Sequence, residues 1–253
     1  MSLSKRQRRK LRKQEVLNPR DTVPQKGMVL NNILPKTESQ KLTFDSYDAG
    51  YNLFLHGSPG TGKTFLSIYL ALEEIFHNSA LNYHNLTIIR SAQPSKDMGF
   101  LPGTEKEKMA IYEAPYKGIC SDLFNRGDAY DILKLKGLID FQSTSFLRGT
   151  TINDSIVVID ECQNLSYMEL KTVLTRIGDN SKVILCGDLY QEDLTSTRFN
   201  EQSGLSKMMT VLDNVDSIKK IEFGIDDIVR SGFVKQFIIA ESQLSSNQLR
   251  LAS

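Results

Sequence analysis

Short apolar runs recur along this chain, separated by segments of helical length. Four runs, at residues 53–55, 86–90, 155–159 and 182–186, are mostly apolar and are typical of buried strands. A run at residues 217–223 is a further candidate strand. Buried strands that alternate with helices predict a parallel sheet covered on both faces, and therefore an α/β fold. Right-handed connections would place ligands at the carboxyl ends of the strands.

The segments between these runs predict the helices. Residues 63–77 are apolar on nearly all faces, which indicates a helix packed inside a layered domain. Residues 91–118 are rich in proline and glycine and predict a long loop-rich insertion, which in a compact domain is usually functional or disordered. Further helices are predicted over residues 37–50, 119–133 with a break near Gly127, 166–176 and 226–241, and a strand-like alternation lies within 139–150.

The most informative stretch is NLFLHGSPGTGKT at residues 52–64. It joins an apolar run to a glycine-rich turn and a helix start, which is the context that the G-x-x-x-x-G-K-[ST] pattern requires. Glycines permit positive φ values, so that backbone N–H groups at a helix N-terminus can surround a phosphate. A chance match of a glycine-rich turn is the disfavoured alternative, because both flanks are present. We therefore predict a nucleotide site formed by Gly57, Ser58, Pro59, Gly60, Thr61, Gly62, Lys63 and Thr64, with Lys63 on the β- and γ-phosphates and Thr64 on Mg²⁺.

Polar residues follow two of the predicted strands. Asp160 and Glu161 come directly after residues 155–159, where one acid would hold Mg²⁺ and the other would orient or deprotonate a water. A turn with two solvated acids is the alternative. Gln191, after the next strand, is a candidate for contact with the γ-phosphate, with an ordinary acidic loop as the alternative. The sequence does not choose among the arginines that could stabilise the transferring phosphoryl group: Arg90, Arg148, Arg176, Arg198 and Arg230.

Charge is distributed unevenly along the chain. Residues 1–13 hold seven Lys or Arg and no acid, which leaves 24 basic against 30 acidic residues in the rest. A basic arm can bind nucleic acid through counterion release, although a solvated tail is the alternative. We therefore divide the chain into a basic arm and linker at residues 1–36, a nucleotide-binding domain at 37–241 and a polar tail at 242–253.

The rest of the composition bears on the cellular location of the protein. The three cysteines and three histidines form no disulfide framework and no metal-ligand spacing, which favours a reducing cytoplasm. No apolar run approaches membrane-spanning length, and the basic N-terminus lacks the apolar region of a secretion signal. We expect no membrane partner.

Several motifs, taken in order, resemble the PhoH-like family of bacteria and bacteriophages, single RecA-like ATPases related to superfamily 1 helicases. The resemblance covers roughly residues 34–237. It implies a P-loop NTPase with a three-layer α/β/α sandwich and a mostly parallel sheet. It rests on GSPGTGKT from Gly57, IIRSAQPSKDMGFLPGTEKEK from Ile88, FLRGTTI from Phe146, VVIDECQN from Val157, LTRIG from Leu174, GDLYQED from Gly187 and FGIDDIVRSGFVKQFI from Phe223.

The resemblance also implies roles for particular residues. Asp160 would hold the metal, Glu161 would be the catalytic base and Gln191 the γ-phosphate sensor. Gln40 resembles the adenine-reading glutamine of such helicases, and Arg230 resembles the family's arginine finger. The chain departs from the family pattern at Cys162, where alanine is common, at Thr150, where arginine is often seen, and at Ser231, where histidine is frequent.

We expect a hydrolase that uses ATP and Mg²⁺ and works as a nucleic-acid-dependent ATPase or RNA helicase. The expected location is the cytoplasm, or the host's cytoplasm if the protein is phage-encoded. A helicase motor usually works two lobes against each other, but this chain has one core. We therefore expect a homo-oligomer, such as a hexameric ring, in which Arg230 completes a neighbouring site. The expected partner is single-stranded nucleic acid, with RNA favoured over DNA.

Three other functions remain open from the sequence. An AAA+-like remodelling ATPase would share the phosphate loop and the acidic pair, but only about thirty residues follow the last strand, which is short for its helical lid. A small-molecule phosphotransferase would need a substrate lid that the sequence does not reveal. A nucleotide-gated binding module would bind ATP without significant turnover.

Overall fold

One parallel sheet forms the centre of the protein. The computed structural model describes residues 28–77, 83–91, 105–144, 147, 149, 151–188 and 204–241. Within these residues all neighbouring strands pair in parallel. The strands lie in the order β3-β2-β4-β5-β1-β6. They are β1 (Asn52–Gly57), β2 (Asn85–Arg90), β3 (Ile139–Ser143), β4 (Ser155–Ile159), β5 (Lys182–Gly187) and β6 (Ile218–Phe223).

Helices flank the sheet, and polar side chains define where some of them begin. The Thr37 side chain accepts a hydrogen bond from the Gln40 N–H at the start of the first helix, and Ser166 forms a capping box with Glu169 at another. The helices are α1 (Glu38–Asp48), α2 (Lys63–His77), α3 (Glu105–Phe124), α4 (Ala129–Leu135), α5 (Tyr167–Leu174), α6 (Gly204–Leu212) and α7 (232–241), with 3₁₀ turns at Cys162–Asn164 and Ile225–Asp227.

The protein has three layers, because alternate strand residues point to opposite faces of the sheet. Leu53 and Leu55 of β1 join the core cluster that contains residues of α1 to α4. Phe54, between them, joins a second cluster that contains residues of α5 and α6. The described fold is therefore the α/β sandwich with a parallel sheet that the sequence predicts.

The predicted loop-rich insertion at residues 91–118 is wrong from residue 105 onward, where α3 begins. Pro115 and Gly118 suggested a loop, since proline removes a helical N–H and glycine is a poor helix former. Buried Tyr116, Cys120 and Leu123 instead follow helical spacing, and their packing against the sheet outweighs these local preferences. Residues 92–104 lie outside the described part of the chain.

Other element boundaries also differ from the predictions. The helix predicted over 119–133 is two helices that separate at Asn125, which has a positive φ of 52°. The strand predicted within 139–150 ends at Ser143. The predicted helix at 226–241 begins only at residue 232, after a 3₁₀ turn closed by a hydrogen bond from the Gly224 N–H to the Asp227 carboxylate. Helix α6 was not predicted.

Residues 28–36 are the part of the predicted linker that the structure describes, and they pack on the domain. Met28 and Leu30 are buried in the core cluster on the α1–α4 face. The Asn31 N–H donates to the carbonyl of Leu123 at 2.8 Å. Residues 28–36 therefore contact the C-terminal end of α3 and lead into α1 at the edge of the candidate site.

The described residues contain no candidate membrane span and no disulfide. No helix there combines the length and the hydropathy needed to cross a bilayer. The three cysteines, at positions 120, 162 and 186, are free and buried.

Candidate nucleotide site

The phosphate loop connects β1 to α2 at the carboxyl edge of the sheet. Gly57, Gly60 and Gly62 have φ values of 116°, 72° and 87°, which favour glycine. The loop is attached to the neighbouring strand by a hydrogen bond of 2.8 Å from the Ser58 N–H to the Phe223 carbonyl. The sequence pattern thus produces the left-handed glycines and the helix start that a phosphate site requires.

Gly57 also leaves no room for a side chain beside Phe223 at the end of β6. A Cβ at Gly57 would overlap the Phe223 carbonyl oxygen, and φ there is positive. We expect Gly57→Ala to lower the free energy of unfolding by about 2 to 4 kcal/mol. Urea denaturation would measure the change. Gly118→Ala on α3 is the control, because a Cβ there meets nothing within 4 Å and should stabilise the helix by up to about 1 kcal/mol. Equal stability of Gly57→Ala and the wild type would contradict the steric argument.

Lys63 lies at the N-terminus of α2 with its side chain folded over the loop. Its Nζ donates to the carbonyls of Gly57 at 2.9 Å and Ser58 at 2.7 Å. Burial lowers the pKa of Lys63, while the nearby Asp188 carboxylate acts in the opposite direction. The ammonium is therefore held where a phosphate bound in the loop would meet it.

Asp160 follows β4, and both of its carboxylate oxygens accept hydrogen bonds from hydroxyl groups. The Thr64 hydroxyl donates to Oδ1 at 2.8 Å, and the Tyr116 hydroxyl donates to Oδ2 at 2.9 Å. Burial raises the pKa of Tyr116 well above its usual value, and the Asp160 charge adds to this effect. Thr64 and Asp160 present oxygen atoms of the kind that Mg²⁺ prefers, so the residues fit this ion.

Glu161 is held in a left-handed conformation, with φ 53° and ψ 46°. Gln163 Nε2 donates to its Oε2 at 2.7 Å, and Arg90 Nη2 lies 4.0 Å from its Oε1. Burial raises the pKa of Glu161, and repulsion from Asp160 raises it further. Gln163 Oε1 in turn accepts from the Asp188 N–H at 2.9 Å. Gln163 therefore connects Glu161 to the end of β5.

Gln40 joins the linker to the phosphate loop. Its Oε1 accepts from the Lys36 N–H at 2.8 Å, and its Nε2 donates to the Thr61 carbonyl at 3.1 Å. The side chain is buried. The residue predicted to read adenine is thus placed beside the loop, and its amide also fixes the loop to residues 28–36.

Arg230 lies over the phosphate loop of its own chain. The Val229 N–H donates to the Gly60 carbonyl at 3.2 Å. A Cβ built on Gly60 would meet Arg230 Cγ at 3.0 Å and Ile238 Cδ1 at 3.3 Å. The segment between β6 and α7 therefore packs on the phosphate loop.

These side chains surround one cavity of about 470 Å³, a volume suited to a nucleotide. Gln191, Arg148 and Arg198 lie outside the described residues. Arg176 lies at the other end of β4, where its carbonyl accepts from the Ile152 N–H. Of the predicted site residues, those that line the cavity are Gln40, Pro59, Gly60, Thr61, Gly62, Lys63, Thr64, Asp160, Glu161 and Arg230.

Most of this chain matches one protein family. The family described as PhoH-like protein matches residues 32–241. This chain belongs to the PhoH-like family. Its members include a PhoH-like protein of Mycobacterium leprae, 34% identical over 86% of this chain and 60% of the relative. A PhoH-like protein of Bacillus subtilis is 33% identical over 73% and 56% of the two chains. Protein PhoH of Escherichia coli is 30% identical over 88% and 60%.

This PhoH-like chain spans less than two thirds of the length of those relatives. Among solved structures it is similar to the Sulfolobus solfataricus SWI2/SNF2 ATPase core in complex with dsDNA, with 15% identity, a TM-score of 0.41 and coverage of 78% of this chain and 46% of that one. Pif1 helicase from Candida albicans is 16% identical, with a TM-score of 0.33 and coverage of 76% and 40%. The fold assignment rests on the sheet order and the family match.

Two of the departures from the family pattern lie in the described residues. Cys162 is fully buried, and its thiol donates to the Ile159 carbonyl at 3.2 Å, so that it packs as a small core residue. Ser231 immediately precedes α7, and its carbonyl accepts a hydrogen bond from the Lys235 N–H. Thr150 lies outside the described part of the chain.

Three residues at the site were not among the predicted site residues. Asp188 follows β5, so the strand-end argument could have selected it alongside Gln191. Gln163 stands within the DECQN motif, but only its contacts reveal the connection to β5. Tyr116 carried no sequence signal, because its segment was interpreted as a loop and it is 44 residues from Asp160.

Proposed function

We propose that this PhoH-like protein binds ATP with Mg²⁺ and hydrolyses the γ-phosphate in response to single-stranded nucleic acid. The observation that supports hydrolysis is the arrangement of Lys63, Thr64, Asp160 and Glu161 around one cavity at the carboxyl edge of the sheet. A site for binding alone would need the loop but not the second acid, which is partly buried beside it. Glu161, with its raised pKa and two side-chain partners, suits a residue that accepts a proton.

Each residue has a distinct part in the proposed reaction. Loop N–H groups and Lys63 bind the phosphates, and Lys63 exchanges its carbonyl contacts for phosphate oxygens. Thr64 and Asp160 would hold Mg²⁺, which would supply positive charge to stabilise the phosphates. Glu161 orients the attacking water and takes its proton, while Gln163 and Arg90 keep the carboxylate aimed at the cavity.

The proposed macromolecular partners are single-stranded nucleic acid, with RNA favoured over DNA, and further copies of this chain in a ring. The arm of seven basic residues within the first thirteen supports binding to a polyanion. An exposed apolar strip beside the cavity supports self-association. The strip consists of Ile225, Val229, Phe233, Val234 and Phe237.

The decisive test is ATP hydrolysis measured with a panel of RNA and DNA strands, with the full chain and with residues 2–13 deleted. We expect single strands to stimulate turnover, RNA more than DNA. Deletion of the arm should weaken polymer binding and reduce its salt slope by up to about 5, since each lost phosphate contact removes about 0.7.

A chain whose first thirteen residues are shuffled is the matched control, because it keeps the charge and should keep the salt slope. Hydrolysis that no polymer stimulates would contradict dependence on nucleic acid. ATP binding without hydrolysis under any condition would instead support the nucleotide-gated binding module.

A further inference from the structure

Tyr116 contacts the proposed metal site from a position outside the sequence motifs on which the family resemblance rests. It lies on α3, directly after Pro115, and its side chain is fully buried. Its ring packs against Phe141 of β3, with ring centroids 5.6 Å apart. Its hydroxyl reaches Asp160 Oδ2 at 2.9 Å.

The two oxygens of Asp160 therefore accept hydrogen bonds from two different helices. Thr64, at the start of α2, contacts Oδ1, and Tyr116, on α3, contacts Oδ2. A metal ion on Thr64 would take over the Oδ1 side of this arrangement. The Tyr116 contact is independent of the phosphate loop, so it can hold the Asp160 carboxylate in one orientation with and without a bound metal ion.

Removal of this contact would leave a charged oxygen without its donor at a buried position. Asp160 is only 4% exposed, so water has little access to replace the lost hydrogen bond. The carboxylate could then rotate away from Thr64. Partners that orient a metal ligand in this way typically change metal affinity or activity by about 10- to 100-fold when they are removed.

We propose that Tyr116 is a positioning residue for Mg²⁺: its hydroxyl holds Asp160 Oδ2 so that Oδ1 faces Thr64 and the nucleotide. This inference rests on the proposed function, because it concerns the metal of the same ATP site. It also connects α3 to the metal centre. Arg90, which contacts Glu161, also lies near the Tyr116 hydroxyl, where its positive charge opposes the rise in the Tyr116 pKa.

The test compares Tyr116→Phe with the wild type, because phenylalanine keeps the ring against Phe141 and removes only the hydroxyl. Mn²⁺ is the probe, and its binding in the presence of ATP is measured by electron paramagnetic resonance. A fluorescent ATP analogue with EDTA measures nucleotide affinity without metal. We expect Mn²⁺ affinity to fall about 10-fold or more, with metal-free nucleotide affinity within about twofold.

Tyr69→Phe is the matched control, since this buried hydroxyl contacts Asn32 and Glu73 instead of the site. It should leave both affinities unchanged. Unaltered Mn²⁺ affinity in Tyr116→Phe, with a wild type that binds Mn²⁺ and ATP, would overturn this inference alone. Equal losses of metal-free and metal-bound affinity would show a general packing role and overturn it too. A wild type that binds neither ligand would overturn the proposed function together with it.

Discussion

Replacing Glu161 by glutamine is expected to lower ATP turnover by about 10²- to 10⁴-fold while ATP binding is retained. The amide has nearly the same shape as the carboxylate, so it can occupy the same left-handed position between Gln163 and Arg90. It cannot accept a proton from the attacking water. Single-turnover hydrolysis and equilibrium binding of a fluorescent ATP analogue measure the two effects separately.

Glu113→Gln is the control for this experiment. Glu113 pairs with Lys134 between α3 and α4 and does not line the cavity, so its loss should leave turnover within about twofold. Continued hydrolysis in Glu161→Gln would remove Glu161 from the role of base. Loss of ATP binding in this variant would instead indicate a structural role at the end of β4.

Arg230→Ala is expected to lower turnover by about 10³- to 10⁵-fold, if the guanidinium reaches the transferring phosphoryl group as an arginine finger does. Val229 holds the backbone beside Arg230 to Gly60, and the Arg230 side chain packs on that glycine. Because these contacts lie within one chain, we expect Arg230 to act on its own site. Steady-state hydrolysis at saturating ATP measures the loss. Arg126→Ala is the control, since Arg126 is exposed and pairs with Asp128.

Mixing two inactive variants tests whether Arg230 serves its own site or a neighbour's. Lys63→Ala lacks the phosphate-binding lysine but keeps Arg230, and Arg230→Ala has the opposite defect. Action within one chain predicts no recovery when the two are mixed. Action across a subunit boundary, as expected from the single core of the chain, would restore roughly a quarter of the interfaces in a randomly assorted ring. Light scattering on the same samples would establish the oligomeric state.

Local sequence was sufficient for the elements whose signals lie within a few residues. The run 155–159 is apolar at every position after Ser155, as is typical of a strand buried on both faces, and β4 occupies the same residues. The loop from Gly57 to Thr64 carries its own conformational requirements in its glycines. The helix after Lys63 ends at His77 as predicted. In these cases the neighbours in sequence are also the neighbours that determine the conformation.

Local sequence was misleading where the burial of side chains in the core outweighed the low helix propensity of individual residues. Pro115 and Gly118 indicated a loop, yet they lie inside α3, because Tyr116, Cys120 and Leu123 bury one helical stripe in the core. Helix α6 has a similar explanation. Leu205 and Met208 are buried against the face of the sheet that α5 also covers, and their short segment has no strong capping signal.

The sequence by itself determined that a glycine-rich loop follows one strand of a parallel sheet and that two adjacent acids follow another. It did so because parallel strands bring their carboxyl ends to one edge, whatever the length of the connections. Only the tertiary structure decided which other side chains reach that edge. Tyr116 meets Asp160, Gln40 meets Thr61 and Arg230 meets Gly60 through contacts between segments that are distant in sequence. Such contacts depend on how helices pack on the sheet, and no local pattern encodes them.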